Sequence, residues 1–492
     1  MNDSPGTPTV RVAVGDTVGR DADVLAAARE AADRTRVLET GPTGAPGGPH
    51  CYATVDGRTA RYGAVTETTI KRIVSACEGG RLLTGEAEAV AEGERPPTPE
   101  SGPLAVGTPC VLDGFGWHPP DAVPNPVAPD VREGPDEALA TVERVGLRGR
   151  GRADVATDEP LAEYWTRTRD ADGDPVLVVH ANDADPEADA DRLCGASAPG
   201  RVWDAAEAVA SIVGTEDIIA FAPAEDELLA DRLEAVGDWQ VARADSSFRV
   251  GEPTMALEAL EGNDRIEARR RPPGPEEWGL YGRPTLVHTP RTLLQLAELW
   301  QNPDSFDPEA TDPGTRLVTV SGDIPEPATV ELSTGAPLSR ALDAVESPKS
   351  ARYAVGGRFG GLTRSLDTPA SAPAMASAGL GTEGAIEVLS TDRCIVATVG
   401  ERAAFAREEN CGRCVPCREG SKQLHESLRA VYDGAFDAGD IGELARTMRT
   451  TSLCAFGETA ARPVKTALSE FESEFRAHAK GRCPAGACGG MQ

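Results

Sequence analysis

A chain of 492 residues is too long for one hydrophobic core and is expected to divide into three or four domains. Hydrophobic residues make up 40%, enough for globular folding, and the formal net charge of −30 argues against nucleic acid or an anionic membrane surface as the main partner. The acidic residues are spread along the chain, with few lysines beside the arginines, a pattern expected of a halophile, whose salt screens the self-repulsion.

No stretch approaches about 18 uncharged apolar residues, so direct membrane insertion is not expected. The opening MNDSPGTPTVRVAVGD has neither the basic start nor the apolar run of a signal peptide. A cytoplasmic location follows, free or peripheral on a membrane complex. Eleven cysteines in such a compartment point to metal or redox chemistry rather than disulfides, and six of them lie beyond residue 410.

In chain order, residues 9–14 alternate like a strand and 22–33 read as a helix. Residues 50–55 and 59–62 follow as a hairpin, then a helix over 67–77. Prolines crowd between Arg95 and Asp130 (RPPTPESGP, WHPPDAVPNPVAPD), the mark of a linker or irregular crossover. Residues 136–300 alternate apolar strands (VLVVHA, DIIAFAP) with helical runs at 203–212 and 226–235. Residues 315–364 turn to short strands separated by Gly and Pro. Beyond 394 the period is helical, with three amphipathic helices. One starts near Ser421, a second has Asp440 as N-cap with Glu443 closing a capping box, and a third carries Val464, Leu468, Phe471 and Phe475 inward.

The segment Glu409-Asn-Cys-Gly-Arg-Cys-Val-Pro-Cys-Arg-Glu-Gly420 sets Cys411, Cys414 and Cys417 at C-x-x-C-x-x-C spacing. That spacing lets a loop wrap one corner of a cubane, with Cys454, after two helices, as fourth ligand of a [4Fe–4S] cluster. Arg413 and Arg418 would offset its negative charge. A structural zinc loop usually donates cysteines two at a time, which fits less well.

The pair ENCGRCVPCREG and SLCAFG resembles the NADH-oxidising flavin and iron–sulfur component of respiratory complex I, an NADH-quinone oxidoreductase, and its relatives in NAD-reducing and electron-bifurcating hydrogenases. Gly146-Leu-Arg-Gly-Arg-Gly151, Gly251-Glu252, Ala256–Gly262, Leu280–Thr285 and Val320–Asp323 are similar to further stretches of that family. The resemblance implies a multidomain α/β fold. Its parts would be a thioredoxin-like domain at 1–92, a Pro-rich linker at 93–135, a flavin/NADH-type α/β domain at 136–310, a soluble-ligand-binding β-grasp domain at 311–388, a helical [4Fe–4S] domain at 389–480 and a Cys-containing tail at 481–492. It implies an NADH dehydrogenase, quinone- or hydrogenase-linked, with other redox subunits as partners. Gly149, Arg150, Gly151, Phe248 and Glu252 become the candidate FMN- and NADH-binding residues.

The departures from that pattern are as informative. Arg152-Ala-Asp-Val-Ala-Thr-Asp-Glu-Pro-Leu161 stands where the family's flavin loop is rich in glycine, so Arg152, Asp154 and Asp158 bring side chains and charge to a place built for bare amides. Pro160 replaces a lysine, His288 and Thr289 replace paired asparagines, and Pro253 replaces the second Glu of a pair. FMN and NADH are therefore expected to bind weakly or not at all. In the front domain the iron-ligand positions fall on Val18, Pro42 and Pro46, so its [2Fe–2S] cluster is absent, and Cys51, Cys77, Cys110 and Cys194 are packing thiols. The tail His478-Ala-Lys-Gly-Arg-Cys483-Pro-Ala-Gly-Ala-Cys488 resembles the hydrogenase-type HxxxxCPAGxC ending. With Cys394 it could complete a zinc site, or stand as a metal-free terminus. Two functions follow: an electron-transfer subunit with one [4Fe–4S] cluster, or a degenerate non-catalytic paralogue acting as a structural or regulatory subunit of a redox complex. No catalytic residue is assigned.

Overall fold

In the computed structural model, which describes residues 6–16, 19–107, 109–157 and 159–488, the chain forms three sheets with helices between and beside them. The first sheet has strands β1 (Thr9–Ala13), β2 (Arg36–Thr40), β3 (Cys51–Val55), β4 (Arg58–Tyr62) and β5 (Ala89–Glu92) in the order β2-β1-β3-β4-β5. β1 and β2 run parallel around helix α1 (Arg20–Ala31); the other pairs are antiparallel. Asp56 and Gly57, at φ 48° and 71°, form the two-residue turn between β3 and β4 that the right-handed twist of paired strands favours. Helix α2 (Glu67–Glu78), capped by the Thr66 hydroxyl, packs beside α1, and Cys51 and Cys77 sit in the apolar core beneath.

The loop from Thr40 to Pro49, which carries Pro42 and Pro46, is tied down by the chain itself. The Asp16 carboxylate accepts the N–H of Thr43 at 2.8 Å and its hydroxyl at 2.9 Å. The Ser197 hydroxyl donates to Pro42 O at 2.6 Å and Thr329 N–H to Gly44 O at 2.9 Å, fastening the loop to both other sheet layers. Val18 lies outside the described residues.

The second sheet, β6 (Val176–His180), β7 (Ile218–Pro223), β8 (Gln240–Ala244) and β9 (Thr285–His288), is wholly parallel in the order β8-β7-β6-β9. Its central strand β6 is buried throughout and apolar from Val176 to Val179, because helices cover both faces of a parallel sheet. These helices are α3 (Ala128–Glu133), α4 (Pro135–Val145), α5 (Leu161–Asp170), α6 (Ala190–Ser197), α7 (Pro199–Val213), α8 (Glu227–Glu234), α9 (Pro253–Leu260) and α10 (Pro290–Gln301). Helix α3 lies within the stretch expected to be linker. It packs on α7, whose buried Asp204 accepts the N–H groups of Val127 and Ala128, so the end of the proline-rich crossover is part of this layer.

The third sheet holds β10 (Thr315–Gly322), β11 (Ala328–Ser333), β12 (Ala351–Val355), β13 (Gly361–Thr363) and β14 (Ala385–Ser390), with α11 (Ala372–Ser377) alongside. The order is β11-β10-β14-β12-β13, with only β10 and β14 parallel. The last segment is helical: α12 (Ile395–Glu409), α13 (Val415–Ala430), α14 (Ala438–Thr451), α15 (Ala455–Thr459) and α16 (Arg462–His478).

Three details differ from expectation here. Helices α12 and α15 are additional. Helix α13 begins at Val415 rather than Ser421, because Pro416 fits the first turn of a helix that leaves the cysteine loop directly. The N-cap of α14 is Asp437, which accepts the N–H groups of Gly439 and Asp440; Asp440 therefore lies inside the first turn, and Glu443 pairs with Arg446 instead of closing a box. Among the described residues no helix is long and apolar enough to cross a membrane.

Candidate metal centres and the neighbouring cleft

Asn410 ends α12 and starts the cysteine loop. Its amide donates to Ala406 O and Arg407 O at 2.9 and 2.8 Å, and its carbonyl accepts Gly412 N–H at 3.0 Å. Gly412 turns the chain at φ 78°, a conformation that a side chain would strain. Cys414 is then the N-cap of α13 and Cys417 lies in its first turn, both at the positive end of the helix dipole. Helices α13 and α14 carry the chain back to Cys454, the N-cap of α15. A Cβ at Gly457 would fall on Ser452 Oγ and within 3.0 Å of Cys417 Cβ, so glycine permits this approach.

The four thiols of Cys411, Cys414, Cys417 and Cys454 line one small cavity, closed by Ala268 and Phe456. Four thiols around one cavity supply the one thiolate per iron that a cubane takes. Burial pushes the Cys417 thiol up, with Cys414, Cys454 and Cys411 adding to it; burial and then Glu252 push Cys454 up to about 12. Such thiols ionise readily only against bound metal. Arg413 lines the same cavity, whereas Arg418 donates to Gly412 O at 2.7 Å and pairs with Glu419.

The tail forms a second donor set. One ligand atom each from Cys394, His478, Cys483 and Cys488 lie within 4.8 Å of one another. His478 Nδ1–H donates to Glu474 O at 2.7 Å, which leaves the Nε2 lone pair facing Cys394 Sγ at 3.1 Å and Cys488 Sγ at 3.8 Å. Burial opposes ionisation of Cys483, but hydrogen bonds from the backbone and thiol of Cys488 and from Ala487 and His478 outweigh it and bring the thiol down to about 6.

The side chains of the loop that the resemblance assigns to flavin are engaged with the protein itself. Asp154 turns inward: its Oδ1 accepts Ala156 N–H at 2.9 Å, and a Cβ at Gly149 would overlap it. Its Oδ2 faces His288 Nδ1 at 3.0 Å and Thr289 N at 3.3 Å. The Trp165 indole N–H donates to His288 Nε2 at 2.8 Å, so the ring proton is on Nδ1 and points at Asp154. Arg150 is buried in an ion pair with Asp312 at 2.8 Å and donates to Pro313 O and Thr315 O. Gly151, at φ 87°, lies against the Arg291 guanidinium, itself paired with Asp191 and Asp183.

Arg152 lies flat over the Phe248 ring, Cζ 3.6 Å from the centroid, and donates to Phe248 O at 2.6 Å. A Cβ at Gly251 would overlap its Nη1. Phe248 is only 5% exposed and meets Phe359, Phe405 and Phe456 edge-on at 5.0, 5.1 and 5.7 Å. Glu252 caps α9 by accepting Met255 N–H at 3.0 Å and the Thr254 hydroxyl, and pairs with Arg271 at 3.2 Å. Asp158 lies outside the described residues. Cys110 donates to Glu331 at 2.9 Å, a hydrogen-bonded thiol rather than a simple packing one, while Cys194 is buried in the core. The Trp165–His288–Asp154 chain and the phenylalanine cluster carry no signal in the sequence, because their members come from distant elements.

Residues 397–478 match the family described as the NADH-ubiquinone oxidoreductase-F iron–sulfur binding region, a span holding Cys411, Cys414, Cys417 and Cys454. The chain is 27% identical over 388 residues to the F 2 chain of the NADH-quinone oxidoreductase of Rhizobium meliloti strain 1021, covering 71% of this chain and 90% of that one. It is also 27% identical over 370 residues to the alpha chain of the NAD-reducing hydrogenase HoxS of Cupriavidus necator, covering 70% of this chain and 60% of the relative, so the match spans less than two thirds of that longer protein. A crystal structure of an NAD+-reducing NiFe hydrogenase in the H2-reduced state shares the fold at TM-score 0.66 and 23% identity, over 96% of this chain and 84% of that one.

Proposed function

From a chain whose residues 397–478 carry the iron–sulfur binding region of NADH-ubiquinone oxidoreductase-F proteins, we propose an electron-transfer subunit that works through one [4Fe–4S] cluster and without FMN or NADH. The observation that carries this reading is the meeting of Cys411, Cys414, Cys417 and Cys454 around one cavity at the starts of α13 and α15. Such a cluster, when bound, takes up and releases one electron at a time. The protein holds the thiolates at helix N-termini and keeps the site apolar on its inner side through Ala268 and Phe456. The residues around the cleft do not fit a flavin: its loop amides, its charged groups and its ring face are engaged with one another.

The three sheet layers are read as a thioredoxin-like domain, a flavin-type α/β domain and a β-grasp domain, followed by the helical cluster domain; the likeness to the hydrogenase structure supports this division. Other redox subunits are the natural donors and acceptors, as the names of the relatives suggest. The tail set of Cys394, His478, Cys483 and Cys488 is assigned one zinc ion, since its donors approach as closely as a single tetrahedral ion requires. The closed cleft favours a second reading in one respect: as regards NADH oxidation the chain is a degenerate paralogue with a structural or regulatory share in a redox complex.

Metal analysis of the full chain purified without oxygen tests the assignment with two variants. Cys414→Ser should lose iron and keep zinc, and Cys488→Ser should do the reverse. Iron remaining at about four per chain in Cys414→Ser would refute the cluster ligation.

A further inference from the structure

Arg152 stands at a position where the resembling family carries glycine, and its guanidinium lies over the Phe248 ring. The ring beneath it, Phe248, meets Phe456 at 5.7 Å, and Phe456 lines the cavity two residues beyond Cys454. Two aromatic rings in contact, Phe248 and Phe456, thus link the cation to the wall of the thiol cavity. Arg152 forms no ion pair among the described residues, and its Nη2 is buried without a hydrogen-bond partner. Burial pulls its pKa down, while Asp185, Glu383, Glu252 and Cys454 lie near enough to hold it up. An arginine so placed stays charged.

We propose that Arg152 is a built-in cation that keeps the flavin cleft closed and raises the reduction potential of the cluster held by Cys411, Cys414, Cys417 and Cys454. The physical reason is charge. Reduction adds one electron to a cluster already bound by four thiolates, so a fixed positive group in a poorly hydrated setting stabilises the reduced form more than the oxidised one. The flat seat on Phe248 and the bond to Phe248 O hold the guanidinium on the cleft side of that ring. Arg152 is a positioning and tuning residue: it touches neither the thiols nor a substrate.

This inference rests on the cluster reading above, and its test separates the two. The full chain and the variants Arg152→Lys and Arg152→Met are purified without oxygen. Iron is counted, and the cluster's midpoint is read by electron paramagnetic resonance during titration with dithionite. Arg152→Met, of similar bulk without charge, should bind as much iron as the parent and titrate at a clearly more negative midpoint. Arg152→Lys should stay close to the parent. Loss of iron in Arg152→Met alone, with Arg152→Lys loaded, would also support a requirement for the charge. Full iron and an unmoved midpoint in Arg152→Met, or an Arg152→Lys chain that shifts or loses iron as Arg152→Met does, would overturn the inference while leaving the cluster reading intact. A parent chain without iron would instead remove the cluster reading, and this inference with it.

Discussion

Asp185 is buried beyond the end of β6, where it accepts the N–H groups of Glu187 and Arg358. Burial raises its carboxyl to about 6, against the opposing pull of Arg152 and those two amides, with Glu383 adding to the rise. A carboxyl raised above its unfolded value favours folding below that value, and this contribution is lost as pH climbs through about 6. The shift is worth on the order of 2–3 kcal/mol. Asp185→Asn should therefore flatten the fall in stability between pH 4 and 7, whatever its effect on absolute stability, and urea unfolding across that range would check this. A variant with the parent's slope would contradict the assignment.

At this scale the sequence points to Cys411, Cys414, Cys417 and Cys454 as the proposed ligands because three of the four are neighbours in the chain, and the structure brings all four to one cavity. The fate of Arg152 and Asp154 is not legible there. It depends on Phe248, His288 and Trp165, which arrive from distant elements, so the Asp154 carboxylate, standing where the resembling family's loop offers bare amides, is instead turned into the protein.

Among elements, the hairpin of β3 and β4 and the central strands of the parallel sheet are plain in the sequence, since alternation and continuous apolar runs mark them. Strands β2 and β8 are not. Both lie at sheet edges and are only partly buried, which leaves a weak apolar pattern. Helix α12 escapes notice for a related reason: its buried side chains, such as Ile395, Val399, Ala403 and Ala406, are interrupted by the buried polar residues Thr398 and Arg402. Arg402 is drawn inside by Glu387 on β14 and the carbonyls of Gly357 and Arg358.

Helix α15 comes close to both the end of α14 and the start of α13. Gly457→Ala would place a methyl group on Ser452 Oγ and against Cys417 Cβ. Such overpacking typically costs about 1–3 kcal/mol. The variant should melt earlier and lose iron faster to a chelator than Gly442→Ala, a glycine with open space on α14. Equal chelation rates would show that the approach is not critical.

For the whole molecule, composition announces an acidic multidomain protein with redox chemistry gathered near its end, and the structure sets three sheets and a helical segment in that order. What composition cannot convey is how Arg150, Arg152 and Asp154, in the loop that the resemblance assigns to flavin, are engaged by the rest of the protein. The loop at Pro42 and Pro46 is held in the same manner, fastened by Asp16, Ser197 and Thr329. The centre proposed for electron transfer lies at the starts of α13 and α15, with a separate structural metal proposed at the tail.

The visible absorption spectrum of the full chain, purified without oxygen in molar KCl and incubated with excess FMN before desalting, tests this account most directly. The expected result is a single broad shoulder that bleaches with dithionite, with no flavin bands before or after denaturation. Resolved flavin bands, with FMN released on unfolding, would contradict the closed cleft; a colourless protein would contradict the cluster.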